Sequence, residues 1–173
     1  MPTLMHGDPI DQFELTLESI DVGCTRTTTD GFSSAATEAI ESPAIGSSLR
    51  VEGLSLSDVP VELEPTAADI EAAATGITVG AHAIASYGSV LIESTTDGDE
   101  LISLFPPKQI AVVPASRISG SMSAAFEWLK DAFDAGRDSF VFVTGTSATA
   151  DMGATVEGVH GPEAVHVIIV EDR

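Results

Sequence analysis

Three short runs that are apolar at almost every position constrain this chain more than any other feature. They are Ile110–Val113, Phe140–Val143 and Val165–Val170, the last interrupted only by His166. A strand with one wet face alternates apolar and polar residues, whereas an unbroken apolar strand needs cover on both faces, as in a parallel sheet between helices. Between the first two runs, Met122, Ala125, Phe126, Leu129 and Phe133 recur at helical spacing, which predicts a helix over 121–135 ended by Gly136. Strand, helix, strand in this order predicts a βαβ unit with a right-handed crossover. The 173 residues fit one domain, and no repeat, low-complexity tract or linker divides them. The expected fold is therefore a single-domain α/β structure over residues 1–173, a mostly parallel sheet with flanking helices. Residues 1–11, with Pro2, Gly7 and Pro9, read as a loose start.

Elsewhere the signals are local. Residues 13–20 fit an alternating strand and a short helix equally, and Val22–Thr28 is β-branched and extended. Asp30 is placed to cap a helix running to about Glu41, before Pro43. Thr66 with Asp69 three residues on has the spacing of a capping box, predicting a helix to about Thr75 with Gly76 at its end. Ala83–Glu93 reads as two short strands around Ser86-Tyr87-Gly88, a hairpin. A short helix is expected between Asp99 and Pro106.

The charge balance narrows the partners. Twenty-seven acidic residues face seven basic ones, a net charge of −20. The carboxylates are spread along the chain, and a mean hydropathy of +0.23 argues against disorder. Diffuse acidity on a foldable chain suits a salt-rich cytoplasm, where a Debye length of roughly 3 Å at 1 M makes self-repulsion tolerable. Nucleic acid is excluded as a general partner, because phosphate binding needs clustered Lys and Arg, and Arg26, Arg50, Arg117, Arg137 and Arg173 are scattered in the sequence. No long apolar run predicts a membrane span, and four carboxylates within residues 1–20 argue against a signal peptide, so a cytoplasmic location is expected. One cysteine, Cys24, cannot hold an iron–sulfur cluster, which takes four ligands.

Chemistry is expected where the Phe140–Val143 strand ends. The following stretch, Thr144 to Pro162, is rich in small and hydroxyl residues, and Asp151 is the carboxylate among Gly145, Thr146, Ser147, Thr149 and Gly153. Small residues let backbone N–H groups approach an anionic or carbonyl ligand, and ligands of open α/β sheets sit at the carboxyl ends of strands. The expected pocket brings together Gly145, Ser147, Thr149 and Gly161 as ligand-binding residues, with Asp151 as base or loop-orienting carboxylate and His160 for proton transfer. Asp151 reads equally as a turn cap. His166, on the last strand, reads as a hydrogen-bonded core histidine, and no metal site is completed by Cys or a third His. His6 and His82 have no supporting context. A phosphate-binding loop and a nucleophile elbow are both missing.

These blocks resemble the LUD-domain family. The matching pieces are Gly76-Ile77-Thr78, Ala83-Ile84-Ala85, Gly88-Ser89-Val90-Leu91 and Pro106-Pro107 leading into Ile110–Arg117. The most specific are Thr144-Gly145-Thr146-Ser147 through Asp151, then Gly158-Val159-His160-Gly161-Pro162 and His166. The resemblance implies a sheet like that of glucosamine-phosphate deaminases, ribose-phosphate isomerases and CoA transferases. It also implies a role in L-lactate utilization beside iron–sulfur partner subunits. Where the family often has an acidic residue and Thr, this chain has Ser86-Tyr87; where it often has His and Glu, this chain has Gln109 and Gly153. With those polar groups changed, a ligand-binding or assembly subunit without a cofactor of its own is favoured, its small ligand unknown. The alternative is a stand-alone acyl-CoA or sugar-phosphate enzyme.

Overall fold

The computed structural model describes residues 7–146, 148–151, 154–157 and 161–173, with the backbone alone for 148–151 and 154–157. From the N-terminus come α1 (Pro9–Ser19), β1 (Gly23–Thr27), α2 (Phe32–Ala39), β2 (Ala44–Gly46) and β3 (Glu62–Leu63). The middle holds α3 (Ala67–Ala72), β4 (Thr75–Val79), β5 (His82–Ile84), β6 (Ser89–Glu93), α4 (Asp99–Leu104) and β7 (Lys108–Pro114). Then follow β8 (Ile118–Ser119), α5 (Met122–Asp134), β9 (Phe140–Thr144), β10 (Ala148–Asp151), β11 (Ala154–Glu157) and β12 (Ala164–Val170).

Six strands form a parallel sheet in the order β1-β12-β7-β4-β2-β3. Its centre is β7, whose side chains alternate between two apolar layers. Ala111 and Val113 meet Phe13, Leu17, Val90, Ile92 and Val167 on one side; Ile110 and Val112 meet Phe32, Ala36, Leu56 and Ile168 on the other. That double cover explains the unbroken apolar runs of β7 and β12, and it makes the fold the expected mostly parallel α/β class. No helix among the described residues is long and apolar enough to cross a membrane.

A second, four-stranded sheet, β8-β5-β6-β9, lies against the first layer. Here the βαβ expectation fails. β9 pairs antiparallel with β6 and belongs to this smaller sheet, not beside β7. Its apolarity has another cause: Val141 and Val143 face the central sheet while Phe140 packs in the layer under α5. The helical stripe on α5 is also shifted. Ala125, Leu129 and Ala132 are buried, whereas Phe126 and Phe133 are 59% and 52% exposed.

Other elements follow their local signals with a few corrections. Residues 13–19 belong to a helix that already begins at Pro9, inside the start expected to be loose, with Asp8 capping through Ile10 N at 2.9 Å, Pro9 in the first turn, and Phe13 and Leu17 buried one turn apart. The capping box of Thr66 and Asp69 forms with both bonds, and the β5–β6 hairpin turns at Gly88, φ +65°. Asp30 does not cap α2: Gly31 holds that place without a side-chain bond, and the helix stops at Ala39. Gly76 does not end α3, which stops at Ala72; it lies inside β4, where a Cβ would stand 1.9 Å from the Ile102 carbonyl of α4. Its role is close approach of helix to strand, not capping.

Candidate functional site

The segment after β9 is not one loop. Gly145 turns the chain at φ +69°, and β10 and β11 then form an antiparallel ribbon in which Thr149 pairs with Val156 and Asp151 with Ala154. Gly145 and Gly161 border one cleft of about 310 Å3, with Leu104, Thr144 and Pro162. Thr144 Oγ1 and Ser89 Oγ share a 2.6 Å hydrogen bond that ties β9 to the hairpin. Ser147 and His160 lie outside the described residues. The cleft sits where Leu104 precedes β7 and Gly161-Pro162 precedes β12, at the amino edge of the parallel sheet, with Glu163 and Ala164 donating to the Pro107 carbonyl at 2.7 and 3.0 Å. The carboxyl-end rule does not reach it, because β9 is outside the parallel sheet.

Gln109 adds a polar group on that side. It lies on the face of β7 that carries Ala111 and Val113, beside Val165, and is fully buried. Neither its amide oxygen nor its nitrogen has a hydrogen-bond partner among the described residues. A buried amide left without partners costs about 1–3 kcal/mol. His166, by contrast, is engaged. Its Nε2 lies 2.9 Å from Thr25 Oγ1, and burial, then Lys108, lowers its pKa from the usual imidazole value.

A second polar pocket, of about 280 Å3, lies at the opposite edge, beyond the carboxyl end of β4. The arginines that are scattered in sequence converge here: Arg50, Arg117 and Arg137 all line it, with Glu93 and Trp128. Arg50, at φ +49°, donates to Asp97 at 2.8 Å and to Asp99 at 3.0 Å. Asp99 is 1% exposed and also accepts from Ser47 Oγ at 2.6 Å and from Thr95 Oγ1. Arg137 follows the left-handed Gly136 that ends α5 and grips Glu93 through Nε and Nη2, the latter at 2.6 Å. Its guanidinium stands 5.1 Å above the Trp128 ring. Arg117 donates to the Gly80 carbonyl at 3.1 Å.

His82 supports this wall from behind. Its ring stacks on Trp128 and its Nε2 lies 2.6 Å from Ser119 Oγ, while Nδ1 is buried without a partner among the described residues. Burial first, and Arg117 second, pull its pKa down to about 4. Sequence spacing misses this constellation, because Arg50, Arg117 and Arg137 come from three separate connections with no shared period. The only sequence signal was the end of β4 at Val79-Gly80, where the carboxyl-end rule of parallel sheets does apply.

A central parallel sheet with a second sheet against it, and a cleft at each of its edges, defines a single-domain α/β fold. The chain belongs to the LUD domain family, whose model matches residues 23–170. It is 36% identical over 107 residues to lactate utilization protein C of Bacillus licheniformis, covering 60% of this chain and 45% of that protein. The protein of the same name from Bacillus subtilis is 35% identical over the same shares, and that of Halalkalibacterium halodurans 36%, over 60% and 46%. The chain thus spans about half the length of the curated relatives it matches. A crystal structure of a DUF162 family protein from Deinococcus radiodurans superposes with a TM-score of 0.76 at 20% identity, over 98% of this chain and 100% of that one, and shares its fold.

Proposed function

We propose that this chain is a component of a cytoplasmic L-lactate utilization system and contributes a ligand-binding or docking surface to iron–sulfur partner subunits. The observation that carries this reading is the shared name of its relatives across the matched 107 residues, lactate utilization protein C. The chemistry of Cys24 supports a role without redox centres. It is the single cysteine of the sequence, and burial, reinforced by Glu14 and opposed by Arg26, pushes its thiol up to about 11. The ligand site of this reading is the cleft of Gly145 and Gly161, with Ser147, Thr149, Asp151 and His160 contributing from the segment between them. Exposed aromatic side chains, Phe126 and Phe133 on α5 and Phe142 on β9, suit a docking surface.

Deletion of the gene tests the reading directly. The deletion strain is expected to lose growth on L-lactate while growing normally on other carbon sources. The tagged chain should recover iron–sulfur proteins from native cytoplasm at high salt, since apolar contact outlasts screening. Normal growth on lactate, or turnover of an acyl-CoA or a sugar phosphate by the chain alone, would replace it with the enzyme reading.

A further inference from the structure

We propose that Arg50, Arg117 and Arg137 form an anion site at the carboxyl edge of the parallel sheet, and that its ligand is a small monocarboxylate anchored on the Arg117 guanidinium. The site stands on these side chains and does not depend on the lactate-utilization reading. In a chain with net charge −20, three arginines turned toward one pocket of about 280 Å3 run against the charge of the whole surface.

The three are not equivalent. Arg50 is paired with Asp97 and Asp99, and Arg137 with Glu93. Arg117 is half-buried and has no carboxylate partner among the described residues; one N–H goes to Gly80 O. A guanidinium has five N–H donors in a fixed fork, so Arg117 retains donors for a planar bidentate acceptor. Burial lowers the Arg117 pKa from its ordinary value, and Arg137 and Arg50 lower it further, partly offset by Glu93. An incoming carboxylate offsets this crowding of like charge.

Valence and shape narrow the ligand. Arg50 is paired with Asp97 and Asp99, and Arg137 with Glu93, so Arg117 is the one guanidinium of the three without a carboxylate partner among the described residues, a match for one carboxylate and not for a dianion. Glu93 stands in the lining and repels a second negative charge. Leu49, Val79 and Ala81 are buried and give this mainly polar cavity only a small apolar margin, and its volume, just below the roughly 300–1,000 Å3 of drug-sized pockets, suits a short carbon chain. A carboxylate on a short carbon chain meets all three conditions.

Trp128 is the only tryptophan of the chain and lies in the pocket wall, so its emission reports occupancy. The intact protein would be titrated at constant ionic strength with sodium L-lactate, sodium acetate and inorganic phosphate. Saturable changes are expected with both carboxylates, and weaker binding with phosphate. Arg117→Lys, which keeps the charge and loses the fork, should weaken binding about tenfold. Arg117→Gln should abolish it, and Lys130→Gln, on the exposed face of α5, should leave it unchanged, with circular dichroism confirming the fold of each. No saturable response from the unmodified chain, unaltered affinity in Arg117→Gln, or tighter binding of phosphate than of either carboxylate would overturn the proposal. Carboxylate binding in a protein whose deletion spares growth on lactate would remove the functional reading and leave this site standing.

Discussion

The imidazole of His82 lies flat on the indole of Trp128, with ring centroids 4.5 Å apart and planes 15° from parallel. Because His82 is 5% exposed, the stack is made with a neutral ring. Its unused Nδ1 costs least as a lone pair, which favours the tautomer in which Nε2–H donates to Ser119.

Stability should therefore fall with acid through this residue. The folded pKa, about 4, lies below the unfolded value of 6.5, so between them the unfolded chain binds more protons. The contribution of His82 is full above pH 6.5 and is lost as pH falls toward 4. Urea midpoints should be level from pH 8 to 7 and drop below pH 6.5. Carboxylates and His166 titrate nearby, so the informative quantity is the difference between the unmodified chain and His82→Gln. That difference should shrink by about 1–3 kcal/mol between pH 7 and pH 4.5. A constant difference would show that His82 charges in the folded protein as it does unfolded.

Asp99 is the second test of the carboxyl edge. It gathers Ser47, Thr95 and Arg50 around one buried carboxylate. Asp99→Asn keeps the shape, removes the charge and puts an NH2 group in place of one carboxylate oxygen, where it opposes the donor or donors that oxygen had accepted from. A loss of about 2 kcal/mol is expected by urea denaturation, below the cost of breaking a fully buried pair because Arg50 is partly exposed and keeps Asp97. A change under about 0.5 kcal/mol would mean the cluster is solvated and does not hold Arg50.

Gly76 sets the distance between β4 and α4. A methyl group there would meet the Ile102 carbonyl at 1.9 Å, and backbone cannot yield as a flexible side chain does. Gly76→Ala is expected to destabilise by more than about 3 kcal/mol, or to abolish soluble expression. Gly98→Ala is the informative control, since no atom lies within 4 Å of its Cβ position; its left-handed φ of +79° alone should cost about 1 kcal/mol. Equal losses in the two would show that α4 and β4 move apart around a methyl group at little cost, and that their close approach does not govern Gly76.

What was legible in the sequence was what neighbours in the chain decide. Thr66 and Asp69 specify their cap, Ser86-Tyr87-Gly88 its turn, and β7 its double burial through an apolar run. The sheet to which β9 belongs is not such a property. With Val141 and Val143 against the central sheet, Phe140 against α5 and Phe142 left exposed, an antiparallel edge strand acquires the apolar signature of a parallel central one. Residues 13–20 were ambiguous because Phe13, Leu15 and Leu17 satisfy period two, and only packing of Phe13 and Leu17, with Leu15 left exposed, selects the helix. The arginine pocket was invisible for the same reason: three connections distant in sequence meet only once the two sheets have packed.

The last expectation concerns salt, and it sets two electrostatic effects against each other. Screening weakens attractive pairs, of which Arg26 with Asp11, Glu14 and Glu171 is the densest group. Such exposed pairs contribute about 0–1 kcal/mol each, so their loss is small. Screening also relaxes repulsion among 27 carboxylates against seven cations, a term that acts over the whole surface and grows with the square of the net charge. Repulsion should win. The thermal midpoint is expected to rise by more than about 5 °C between 0.1 M and 2 M KCl. The rise should be steepest at low salt, where the Debye length falls fastest from about 10 Å. A circular-dichroism melt across a KCl series measures it, with choline chloride as a second salt to separate screening from specific potassium binding. Midpoints that do not move with either salt would remove adaptation to a salt-rich cytoplasm as the reason for this composition.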